Sequence, residues 1–316
     1  MRAFILAGFS LLIAAGHGAS AQDAVLESFL SATEKAANKF DYAGAEKFLK
    51  LAEREAEGDE GKLAQIWARQ APLAEMMFDY AKAEDLFKKG LAQAEKAGDR
   101  PLAAHRQTVL ANHYRMRGKF DLSEPLYRKV LIHREKFGGP KSWQTARLLR
   151  DIADNHRDAG RLDAAETLYR RAIGIDDEME DRKYHMAFCL ANLGENQLRQ
   201  DKLEEAEALC RQALDVYDQQ KAPVSFNRAL CYATLGESLR RQKKLDEAGE
   251  AFKAALKHLQ NPMIQPARSM HIYANAAKCC RAQGKTEEAN SLDETAKSFA
   301  AKHADANAAA AKKVDG

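Results

Sequence analysis

Gly118-Lys119-Phe120-Asp121-Leu122-Ser123-Glu124-Pro125-Leu126-Tyr127-Arg128-Lys129-Val130-Leu131 holds the pattern that decides the fold. A turn residue precedes an aromatic anchor; a small residue stands three positions on, an acid follows at once, and apolar residues continue at helical spacing. The same pattern recurs with Tyr42, Tyr80, Phe120, Leu162, Leu203, Leu245 and, weakly, Thr286 as anchors, at spacings of 38, 40, 42, 41, 42 and 41. Three residues after each anchor stands Ala45, Ala83, Ser123, Ala165, Ala206, Ala248 or Ala289. Glu46, Glu84, Glu124, Glu166 and Glu207 follow the first five of these. A fixed period between about 20 and 50 residues is the mark of stacked repeats, none of which buries its apolar face alone.

Each period reads as two helices. In the fifth, Leu190, Leu193, Gly194 and Gln197 recur at 3–4 spacing, and Leu203, Ala206, Leu209, Cys210, Ala213 and Leu214 do the same. Gly118, Gly160, Asp201, Lys243 and Gly284 mark the tight connection inside each hairpin. Asp121 with Glu124, and Asp163 with Glu166, place an N-cap acceptor before an acid. Gly58 to Gly61, Gly98 to Pro101, Gly138 to Pro140, Pro223 and Asn261-Pro262 separate the repeats. Ala111, Ala153, Gly194, Gly236 and Ala277, nine residues before an anchor, face the small residue after it, which lets the paired helices approach closely. Tyr127, Tyr169, Leu209 and Phe252 then fill the gap to the neighbouring repeat. No stretch alternates as a half-buried strand does. The expected fold is all-α, a right-handed α-solenoid of about seven helix-turn-helix hairpins.

The segment around Phe120, and Leu203-Glu204-Glu205-Ala206-Glu207-Ala208-Leu209-Cys210-Arg211-Gln212-Ala213-Leu214 with it, resembles the tetratricopeptide repeat in its longer, kinesin-light-chain variant. The usual period is about 34 residues; the longer one here implies extended helices. The resemblance covers about residues 27–299 and is strongest in repeats three to six. Pro72 is expected to interrupt the first helix of the second repeat, and Asp293 replaces the usual aromatic of the seventh. The resemblance implies a non-enzymatic scaffold that binds extended peptides or helices in a groove lined by the first helix of each repeat. Carried over by position, the groove residues are Asn112, Arg115, Arg147, Arg150, Arg157, Asn192, Arg240, Asn275 and Lys278, with Thr108, Asp154, Glu195 and Arg281 beside them. Side-chain amides can hold a peptide backbone by donating and accepting at once. Arg147, Arg150 and Arg157 form a cationic strip suited to a carboxylate, unless they pair with Asp151, Asp154 and Asp158 of their own helix. The family's two-carboxylate clamp is absent, because Thr108 stands where a Lys is wanted.

The whole chain of 316 residues is 46% apolar and 30% charged, with 49 basic and 46 acidic residues, so bulk charge gives no argument for nucleic acid. Basic residues are interleaved with acids, and nucleic-acid binding is not expected. Among the five cysteines, Cys189, Cys210 and Cys231 stand 21 residues apart. That spacing lets Cys210 bridge to Cys189 or to Cys231, while burial as a free thiol fits the aromatic slot Cys210 occupies equally well. Cys279 and Cys280 point to different faces of one helix. His156 falls at a core slot, and no histidine belongs to a zinc motif. No nucleophile elbow, phosphate loop or dinucleotide fingerprint occurs, so neither a cofactor nor a metal is expected.

Met1-Arg2, the uncharged run Ala3 to Ala15 and Ala19-Ser20-Ala21 describe a secretory signal peptide over residues 1–21, cut before Gln22. Gly8, Ser10 and Gly16 to Gly18 dilute the run as a membrane anchor, the alternative if the leader is retained. Residues 22–299 form the solenoid, and the Ala/Lys-rich tail 300–316 is expected to fray beyond the last helix. The sequence therefore points to an exported, periplasmic scaffold for a protein or peptide, with no stable membrane insertion once the signal is removed. Self-association within an envelope complex is the alternative.

Overall fold

The computed structural model describes residues 21–38, 41–221, 225–259 and 266–314. Residues 1–20, all but the last residue of the expected 1–21 leader, lie outside them, as do Pro223, Asn261 and Pro262. Among the described residues all regular structure is helical. The helices are α1 (Ala21–Asn38), α2 (Tyr42–Glu55), α3 (Glu60–Met76), α4 (Tyr80–Lys96), α5 (Arg100–Met116), α6 (Phe120–Phe137) and α7 (Trp143–Asp158). There follow α8 (Leu162–Asp177), α9 (Lys183–Arg199), α10 (Leu203–Gln219), α11 (Phe226–Arg241), α12 (Leu245–His258), α13 (Pro266–Ala282) and α14 (Thr286–Val314). A 3-10 turn, Glu180–Arg182, joins α8 to α9. Each of the seven anchors is the first residue of the second helix of a hairpin.

The chain divides into two compact units at Leu110–Ala111, inside α5. The first has its own core of Leu26, Leu30, Leu49, Ile66 and Leu73. In the second, α9 packs on α8, α10 and α11, and α11 packs in turn on α13. Its largest core cluster runs through Leu190, Leu193, Cys210, Tyr217, Leu235 and Phe252. Successive first helices therefore touch one another as well as their own partners, which is how a hairpin buries the stripe it cannot cover itself.

The connections follow the turn chemistry read from the sequence. Gly118, Gly160, Asp201, Lys243 and Gly284 all have φ between +64° and +78°, the left-handed region that lets the chain reverse in a few residues. Three expectations are corrected. Asp121 and Asp163 are not caps: Lys119 and Arg161 hold the cap positions, with no side-chain bond to the first N–H groups of the helix, and the acids sit inside the first turn, where the helix dipole favours them. True caps are Asp41, Asp59, Asp79, Asp99, Ser142 and Ser225, each accepting the N–H three residues on. Pro72 lies within an unbroken α3, whose neighbouring Ala71, Leu73 and Ala74 are buried and hold the turn that lacks a donor. The tail is the continuation of α14 to Val314, as its Ala-rich composition favours.

In four of the repeats the acid after the small residue ties one repeat to the next. Glu46 pairs with Lys82 at 2.9 Å, Glu124 with Arg161 at 3.0 Å, Glu166 with Lys202 at 3.2 Å and Glu207 with Lys244 at 2.9 Å. Burial opposes the Glu166 charge, but hydrogen bonds from Arg170, Lys202 and Gln200 hold its pKa down to about 2.

Candidate functional site

Helix α7, Trp-Gln-Thr-Ala-Arg-Leu-Leu-Arg-Asp-Ile-Ala-Asp-Asn-His-Arg-Asp, is the centre of the site. Its Ala146, Leu149, Ile152 and Ala153 enter the core. Arg147, Arg150, Asp151, Asp154, Arg157 and Asp158 recur at three- and four-residue steps and so share a second face. That face meets the end of α5 on one side and α9 on the other. Arg115 of α5 binds Asp158 at 2.5 Å, and Asn192 of α9 donates to Asp154 Oδ1 at 3.1 Å. Arg157 lies between Asp154, Asp158 and Glu195 at 3.4, 3.2 and 3.3 Å. Arg199 closes the network on Glu195 at 2.6 Å. Two tyrosines from the second helices support it: Tyr127 donates to Asn112 at 2.6 Å, and Tyr169 to Asp154.

Three guanidinium groups (Arg115, Arg157, Arg199) thus meet three carboxylates (Asp154, Asp158, Glu195). Burial opposes the Arg115 charge, but Asp154 and Asp158 beside it hold its pKa above the ordinary guanidinium value. The same balance acts on Arg157, where Glu195 is the strongest of the acids. Buried ions paired this way are costly to separate, because removing one leaves another charge uncompensated. The face is therefore rigid and near neutral rather than a cationic strip.

The expected groove residues divide accordingly. Asn112, Arg115, Arg157 and Asn192 come together with Asp154 and Glu195. Arg157 is only 1% exposed, so it organises the face from beneath instead of meeting solvent. Arg147 is half-buried and forms no hydrogen bond or ion pair among the described residues. Arg240 closes on Glu237 of its own helix at 2.7 and 2.8 Å. On α13, Lys278 donates to Asn275 Oδ1 at 3.2 Å, and Asn275 lies 3.1 Å from His271 Nδ1. Thr108, in the first unit, is buried and bonds back to the Ala104 carbonyl.

Arg150 belongs to another cluster. Its Nη1 is 2.9 Å from His185 Nε2, its Nη2 donates to Asp151 at 2.7 Å, and its guanidinium lies over Phe188 at 4.8 Å. A guanidinium cannot accept, so His185 Nε2 is the acceptor and Nδ1–H donates to Asp176 at 2.9 Å. Cys189 Sγ stands 4.0 Å from the same carboxylate oxygen. Sequence reasoning passed over His185, Asp176 and Phe188, and read Arg150 and Cys189 in other roles. The four-residue step from His185 to Cys189 was readable, but Asp176 comes from the preceding helix and only folding brings it there.

All five cysteines are buried free thiols. Cys231 Sγ lies 3.5 Å from the Cys210 carbonyl oxygen, so two of the sulfur-bearing residues proposed for a bridge are neighbours. His156 is half-buried, and burial lowers its pKa. The first unit holds a cavity of about 160 Å³ lined by Glu46, Gln70, Leu73, Ala74, Met77, Asp79 and Lys82. No helix of the described residues is long and apolar enough to cross a membrane.

Stacked hairpins presenting a fixed polar face on their first helices define a helical-repeat interaction scaffold. The tetratricopeptide-repeat family model matches residues 103–178 and 186–261. These two stretches are tetratricopeptide repeats. Among solved structures it is similar to BtubC (BKLC) from P. vanneervenii, with 22% identity over 71% of this chain and 92% of that one, at a TM-score of 0.58. A putative kinesin light chain repeat protein from Podosopora anserina is 17% identical over 63% and 95% at a TM-score of 0.50. NprR in complex with its cognate peptide NprX is 13% identical over 88% and 79% at a TM-score of 0.62. No curated protein matches.

Proposed function

We propose that this protein is an exported scaffold that captures a peptide or protein segment on the α5–α7–α9 face and catalyses no reaction. The observation that carries the proposal is the network joining three successive first helices through Arg115–Asp158, Asn192–Asp154 and Arg157–Glu195. Such a preorganised array of donors and acceptors loses little freedom when a ligand lies along it. Asn112 and Glu195 offer an amide and a carboxylate at its solvent side, suited to a peptide backbone and its N–H groups. The peptide-bound NprR of like fold supports the same reading. Export rests on the leader, and sequencing the N-terminus of the purified native protein checks it, with Gln22 expected first.

A displayed peptide library panned on the folded protein tests the face. Selected peptides should bind the Asn112→Ala/Glu195→Gln variant at least about tenfold more weakly, one good hydrogen bond or more being lost. Unchanged affinity in a variant that melts like the parent removes the assignment. An assembly role is favoured by one observation, the exposure of Ile132 and Phe137 on α6 at 62% and 61%. Light scattering that shows a monomer ends that reading.

A further inference from the structure

Asp176, in the last turn of α8, is 1% exposed, and its Oδ1 has no hydrogen-bond partner. A buried carboxylate is costly unless donors or a cation meet its oxygens. Here Oδ2 alone is met, by His185 Nδ1 and at longer range by Cys189 Sγ. His185 and Cys189 are four residues apart on α9 and so share a face. One ligand atom from each of the three residues lies within 4.8 Å of the other two. Around a tetrahedral ion with bonds of about 2.0–2.3 Å, ligand atoms stand roughly 3.3–3.8 Å apart. The measured 2.9 Å and 4.0 Å fall on either side of that range, so small rotamer shifts convert the hydrogen-bonded cluster into a coordination shell.

We propose that Asp176, His185 and Cys189 form a site for one divalent transition-metal ion of the zinc class, with a fourth position left for water. A mixed carboxylate, imidazole and thiolate set suits zinc, cobalt or nickel, whereas calcium and magnesium want oxygen throughout. His185 is the half-buried member, with 20% of its side chain exposed, and gives the ion its way in. On binding, the Cys189 thiol proton leaves to solvent and the His185 ring proton moves from Nδ1 to Nε2. Two anionic ligands then neutralise the ion. The new Nε2–H faces Arg150 Nη1, another donor, so Arg150 gives up that bond and keeps Asp151. Arg150 therefore competes with the metal and is released toward the polar face of α7 when the ion binds. None of this depends on the peptide reading.

The full chain, stripped with chelator and kept reduced, is titrated with Co²⁺. The expected result is one equivalent bound, with a thiolate-to-cobalt charge-transfer band that Zn²⁺ abolishes. Cys189→Ser and His185→Gln should weaken binding at least about tenfold, while Cys280→Ser leaves the band in place. Arg150→Met should tighten binding several-fold, since it removes a competing donor and a positive charge. Circular dichroism checks that each variant is folded; if Cys189→Ser is not, the half-buried His185→Gln decides. No band in the parent protein, or a band that survives His185→Gln, overturns the site. Weaker binding in Arg150→Met overturns the competition.

Discussion

At Gly194 a methyl group has no room. A Cβ placed there would stand 2.8 Å from Cys210 Sγ and 3.4 Å from the Ala206 carbonyl oxygen. Neither neighbour can retreat, because Cys210 is fully buried and Ala206 lies in the facing helix. Gly194→Ala should therefore destabilise the protein by about 1–3 kcal/mol in denaturant unfolding; an unchanged midpoint would contradict the close approach. The reverse case is Lys243, a side-chain-bearing residue held at φ +65°. The left-handed region costs such residues roughly 1–2 kcal/mol, and glycine returns part of it through greater freedom when unfolded. Lys243→Gly is expected to raise stability by less than about 1 kcal/mol, read by the same titration.

Between elements, hairpin geometry was readable and charge geometry was not. The anchors found the second helix of every hairpin because a small residue one turn inside it is required for close packing, and that requirement is local. The left-handed turn residues were readable for the same reason. Arg157 was misplaced because its burial depends on carboxylates of two helices, and Glu195 is 38 residues away in sequence. In sequence Asp121 and Asp163 resemble caps, because an acid in the first turn and an acid at the cap look alike without backbone angles. The role of Glu46, Glu124, Glu166 and Glu207 also escaped the repeat pattern, since their partners lie one period on. Glu166 supplies the pH test. Its folded pKa of about 2 lies below the ordinary 4.5, so its contribution is present above pH 4.5 and is lost as pH falls toward 2. Glu166→Gln should flatten the acid side of the stability profile in that window, and a profile that keeps the parent's slope would deny the inter-repeat role.

For the whole molecule, the near-zero net charge is not uniform mixing but local neutralisation, with acids and guanidinium groups matched in number on the α7 face. The thiols are testable at this scale. With all five buried, a native-state titration should label them slowly and unfolding in denaturant should release five. A count of three after unfolding would show a bridge, with Cys210 and Cys231 the neighbouring pair.

The regular ties between acid and base make the chain editable by the period. Arg161 and Lys202 hold the same place, each the residue before an anchor, and each meets the acid of the repeat before it. Excising residues 161–201 would join Gly160 to Lys202, set Ala206 opposite Ala153, and offer Lys202 to Glu124 in place of Arg161. The shortened chain should fold with one hairpin fewer and melt as a single helical protein. Cutting only half a period, residues 161–182, would remove α8 but keep α9, and should leave α7 without its partner and an insoluble product.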